Sequence, residues 1–79
     1  MNHTLIEQLK SQLSFLRKEW EKAGWDRKYA LAEMMHLEDD DPEMAYALFD
    51  FEMSEERLDE IVDDILDLEL QIEEEEEKA

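Results

Sequence analysis

The sequence predicts an all-α fold, an antiparallel helical hairpin of two long helices, possible kinks included, that dimerises into a four-helix arrangement. Three observations carry this. One Gly and one Pro in 79 residues leave almost nothing for hairpin turns or sandwich corners. Apolar residues recur at alternating spacings of three and four along both halves of the chain. Between the halves lies a single stop signal, Glu38-Asp39-Asp40-Asp41-Pro42. The expected layout is one domain over 1–79. It has a helix over about 4–38, an acidic turn over 38–42, an acidic helix over about 43–73 and a fraying acidic tail over 73–79.

The first helix is expected to open on Asn2 or Thr4 as its cap, with Glu7 completing a capping box from Thr4. Its seam runs Ile6, Leu9, Leu13, Leu16, Trp20, Ala23, Arg27, Ala30, Met34, Leu37, with Arg27 the one polar member. At the turn, Asp41 suits the N-cap and Pro42 the first helical position, while Glu43 complements the positive end of the helix dipole. The second seam runs Met44, Ala47, Phe51, Ser54, Leu58, Ile61, Ile65, Leu68, Ile72, with Ser54 its one polar member.

Folded back at the turn, the seams match wherever residue numbers add to 81. Ala30 then meets Phe51, Arg27 meets Ser54, Ala23 meets Leu58, Trp20 meets Ile61 and Leu9 meets Ile72. Small residues face large ones and the two polar members face each other, as antiparallel knobs-into-holes packing asks. Flanking partners expected from the same register are Lys10 with Glu69, Asp26 with Arg57 and Leu31 with Leu48; Glu33–Asp50 and Glu19–Asp64 would be like-charged. The competing layout breaks the helices at Gly24 and Ser54 and folds them as a compact bundle of four short helices.

The charge is lopsided. Residues 1–38 hold six acids and six bases; residues 39–79 hold nineteen acids against Arg57 and Lys78, so the entire net charge of −17 lies in the second half. Such a field repels nucleic acid and anionic membranes and steers basic partners toward the chain. From Asp50 to Glu77 there are fifteen acids. At the helical rise that is one charge per roughly 2.8 Å. DNA carries one per about 1.7 Å of duplex or about 3.4 Å of single strand. Glu55/Asp59/Asp63/Asp67 and Glu56/Glu60/Asp64 form like-charge i, i+4 ladders that cost stability, where a helix needing only solubility would mix in Lys.

Two candidate binding surfaces follow. One is an acidic face of Asp50, Glu52, Glu55, Glu56, Asp59, Glu60, Asp63, Asp64 and Asp67. The other is an apolar patch off the seam, Trp25, Tyr29, Met35, Tyr46, Phe49, Met53, Val62, Leu66 and Leu70, for a dimer partner or a target protein.

Chemistry has little footing. Cys is absent, which removes disulfides and thiolate metal sites and suits a cytoplasmic, reducing setting. Glu33-x-x-His36 has the spacing of di-iron carboxylate bundles, but no acid lies on the facing seam at that level. Asp39-Asp40-Asp41-x-Glu43 lacks the alternation and Gly of a calcium loop. Glu55-Glu56 with Asp59 and Glu60 echoes the magnesium-binding acids of all-helical nucleotide hydrolases, without a basic cluster for phosphates. The expectation is a non-enzymatic protein with no cofactor and no bound metal. It neither spans a membrane nor binds nucleic acid directly, and it acts on a basic, DNA- or RNA-binding protein as phage and bacterial host-factor inhibitors do. The alternative is a helical adaptor working through the apolar patch.

Overall fold

A computed structural model describes residues 3–78, as two helices and one turn. Helix α1 spans His3–His36 and helix α2 spans Glu43–Lys78. They pack antiparallel along their whole length into a rod with Cα extents of 60 × 14 × 12 Å. Both helices are continuous, so the four-short-helix layout is set aside. Gly24 stays helical, and a Cβ there would meet nothing within 4 Å. Ser54 stays helical by donating its hydroxyl to the Asp50 carbonyl at 2.8 Å.

The core is the seam. Every predicted seam position of α2 is buried or half-buried, from Met44 to Ile72. Leu9, Leu13, Leu68 and Ile72 form the buried cluster at the end far from the turn, with Leu5, Leu16 and Ile65 packed against it. Toward the turn the layers are thin: Ala23, Ala30 and Ala47 are almost fully buried. The polar layer holds without a direct bond between its members. The Arg27 guanidinium lies 5.0 Å from the centroid of the Phe51 ring and its Nε 3.9 Å from Glu55.

The turn follows the expected chemistry. Asp41 Oδ1 accepts the Glu43 N–H at 2.9 Å and the Asp41 carbonyl accepts the Met44 N–H at 3.0 Å, with Pro42 between them. The Asp41 N–H donates to the Glu38 carbonyl at 3.0 Å and tightens the reversal.

Four expectations are corrected. Trp20 is 46% exposed and does not fill the layer of Ile61. The alanine layers bring the helices too close for an indole, so Trp20 turns outward while Glu19 tucks in toward Arg57 at 2.8 Å. Edge partners are also shifted: Glu69 pairs with Arg17 (3.3 Å), Lys10 with Glu76 (3.2 Å) and Arg57 with Glu19, in place of Lys10–Glu69 and Asp26–Arg57. Thr4 is the second residue of α1 and not its cap; Asn2 lies outside the described residues. Residues 73–78, expected to fray, are helical. There Glu75 is half-buried and bonded to Lys78 at 3.5 Å, and Glu76 is tied to Lys10.

Candidate interaction surfaces

Two edges flank the seam, and they differ. Lys10, Leu13, Ser14 and Arg17 share one groove with Glu69, Ile72, Glu73 and Glu76; this is the Arg17 edge. Phe15, Leu16, Ala23, Tyr29, Met53, Arg57 and Leu68 line grooves on the opposite side, the Arg57 edge. Heptad spacing extends both assignments along the rod. Positions seven apart share a side, so Leu31, Leu48 and Val62 continue the Arg17 edge.

The nine carboxylates of the predicted acidic face are all exposed. They do not form a single file. At 100° per residue they fan over roughly 200° of the α2 surface, across its whole solvent side. Asp50 and Asp64 lie at the Arg57 edge and Glu55 at the Arg17 edge. Glu52, Glu56, Asp59, Glu60, Asp63 and Asp67 form an outward strip about 100° wide whose margins adjoin the edges, Glu52 and Asp59 on the Arg17 side and Glu60 and Asp67 at the Arg57-edge grooves. From Asp50 to Asp67 the nine span roughly 26 Å of helix.

What decides the electrostatics is where the cations go. Ion pairs on α2 carboxylates engage Glu55, Glu69, Glu75 and Glu76. Of the nine, only Glu55 is paired among the described residues, at 3.9 Å from Arg27. Among the described residues the outward strip has no ion partner. The reason is geometric: α1 brings Lys10, Arg17 and Arg27 to an edge, while the strip points away from α1.

The predicted apolar patch is exposed in full but is not one patch. Met35, Val62 and Leu66 belong to the Arg17 edge; Tyr29, Tyr46 and Met53 to the Arg57 edge; Trp25, Phe49 and Leu70 to the outer backs of the helices. Trp25 and Tyr29 rings lie 6.4 Å apart, and Lys28 Nζ sits 4.7 Å over the Trp25 ring. Sequence reasoning missed Phe15, exposed at the Arg57 edge; it placed Trp20 in the seam and took Leu31 and Leu48 only as flanking partners, and all three are exposed at the Arg17 edge. Phe15, Lys22 and Tyr29 recur at seven, so the signal for Phe15 was present.

Tyr29 and Met53 line a groove of about 510 Å³ over Ala23, Ala30 and Ser54, with Asp26, Asp50, Arg57 and Glu60 around it. Glu33 and His36 are exposed, and no group of three or more metal-binding side chains comes together among the described residues. No described helix is long and apolar enough to cross a membrane. No protein-family model, curated protein or solved structure matches the chain.

Proposed function

We propose that this chain is a non-enzymatic, cytoplasmic binding protein that inhibits or regulates a nucleic-acid-binding protein, as phage or bacterial host-factor inhibitors do, and that it acts as a homodimer. The outward strip of α2 occupies the partner's basic groove in place of phosphates. One observation carries this reading: among the described residues, eight of the nine predicted carboxylates are exposed and have no ion partner, although the chain has eight Lys and Arg to spend on them. Unneutralised like charge along a helix costs stability. A basic groove recovers that cost on binding, and charge density between single-strand and duplex DNA suits such a groove.

A second reading is favoured by the Arg57 edge, where exposed Tyr29 and Met53 line a concave surface and exposed Tyr46 lies seven residues before Met53. There the protein would be a helical adaptor, bound through aromatic and Met side chains, with the acids speeding encounter.

Affinity capture from host cytosol, followed by salt titration of the main partner, separates them. Phosphate mimicry predicts affinity falling roughly tenfold or more between 50 and 200 mM salt. It also predicts loss of binding when residues 56, 59, 60, 63, 64 and 67 become Asn or Gln. Binding that survives both, and fails with Tyr29→Ala or Met53→Ala, selects the adaptor.

A further inference from the structure

The Arg17 edge is unlike the rest of the surface. It gathers six exposed apolar side chains, Trp20, Leu31, Met35, Leu48, Val62 and Leu66. It also gathers four of the chain's eight Lys and Arg, namely Lys10, Arg17, Arg27 and Lys28. All four cations are on α1, where Glu7 and Glu21 share their side, and among charged residues the α2 side of this edge carries only acids, including Glu52, Asp59, Glu69 and Glu73. Apolar residues come in bands at matching levels of both helices: Leu31 and Met35 beside Leu48, then Trp20 beside Val62 and Leu66. Between the bands lie Lys28 and Glu52, level with each other yet without an ion partner in their own chain among the described residues. They sit too far out on their helices to meet across the seam.

We propose that this edge pairs with the same edge of a second copy, through a two-fold axis parallel to the rods that lays α1 of each chain on α2 of the other. This names the face behind the homodimer part of the proposed function. This orientation sets Lys28 on Glu52 of the second copy and Lys10 on Glu69. The same spacing brings Glu21 to Asp59 and Glu7 to Glu73, but four cations against two acids on the α1 side facing acids alone on α2 leave the sum attractive. The perpendicular two-fold would lay α2 on α2, acid on acid. Every pair of neighbouring helices is then antiparallel, as in an up-down four-helix bundle. The face measures 60 Å by 12 to 14 Å. Its footprint is on the order of 700–800 Å², close to the roughly 800 Å² each partner buries in a standard interface. The Arg57 edge is unsuited to self-pairing: its aromatic end carries Asp26, Glu33, Glu43 and Asp50, so a second copy would meet like charge. Of the outward carboxylates, Glu56, Glu60, Asp63 and Asp67 stay free on both sides of the pair, while Glu52 is taken up by the contact and Asp59 lies beside it.

The test is sedimentation equilibrium of the full chain. Wild type is expected at twice its 9.5 kDa mass. Leu66→Glu is expected as a helical monomer by circular dichroism, while Tyr46→Glu on the other edge stays dimeric. Lys28→Glu and Glu52→Lys should each weaken the dimer about tenfold, because both symmetric contacts become repulsive. Mixing these two variants should restore it, since every contact in the mixed pair is again between opposite charges. A monomeric wild type at several hundred micromolar, a dimeric Leu66→Glu, or a mixture no tighter than its components overturns the proposal. Phosphate mimicry would stand through any of these, because the strip lies on a single chain.

Discussion

Single residues carry consequences that their neighbours do not share. Gly24 sits in the interior of α1 with open space where a Cβ would go. Gly24→Ala should therefore stabilise the fold by about 0.5–1 kcal/mol, through lower unfolded-state entropy and better helix propensity. For a chain of this size that raises the midpoint of a thermal melt by roughly 2–8 °C. Asp41 is the opposite case. Its carboxylate accepts an N–H that α2 cannot otherwise satisfy, so Asp41→Ala should cost about 1 kcal/mol in urea unfolding. Arg57 is the one base in the middle of α2, and its partner Glu19 is the less exposed of the two side chains. Losing that bond matters mainly because Arg57 is the one base of α2 set among Asp50, Glu60 and Asp64.

At the scale of the helices, burial and charge pull α2 in opposite directions. Leu68 belongs to the buried cluster at the far end, so Leu68→Ala should destabilise by about 2–4 kcal/mol. Asp63 stands in the middle of the outer ladder with like charges four residues away on either side, Asp59 and Asp67. Asp63→Lys should stabilise the isolated protein by roughly 1 kcal/mol, since two repulsive spacings become attractive, and should weaken binding to a basic partner. A variant that loses stability, or gains it with binding intact, would place the ladder outside the binding surface.

The seams, the turn and the continuity of each arm were all readable as spacing, because a level along a helix follows directly from position in the chain. The edges were not. Which side of the seam Lys10 or Arg57 turns to, and so which acid it meets, depends on the sideways offset of two helices. That offset is set by packing around Ala23, Ala30 and Ala47. Trp20 failed for the same reason: its spacing fits the seam and its volume does not. The nine apolar residues gathered as one patch separate into three groups because off-seam positions point in every outward direction.

For the whole molecule, the governing fact is that α1 and the turn-proximal core bear almost none of the net charge while α2 and the turn bear it all. Self-repulsion of that kind is screened by salt. The thermal midpoint of the free protein should rise between 20 and 300 mM sodium chloride, while affinity for a basic partner falls over the same range. Opposite slopes in the two titrations are the signature of charge reserved for a partner; a flat melting curve would mean that the strip is not under electrostatic strain. The rod shape matters too. A slender pair of helices exposes α2 over its whole length, so a groove can run along it where a compact bundle would hide one end.

The displacement of Trp20 also equips the protein with a natural pair of optical reporters. Its indole stands among the side chains of the Arg17 edge, and the indole of Trp25 stands on the outer back of α1, stacked under Lys28. With Trp25→Phe, fluorescence comes from Trp20 alone; its emission should shift to the blue and resist acrylamide quenching as protein concentration rises. With Trp20→Phe the remaining signal should move with concentration only as far as Lys28 leaves the Trp25 ring for Glu52 of the second copy, and should otherwise respond to ligands that reach the outer surface.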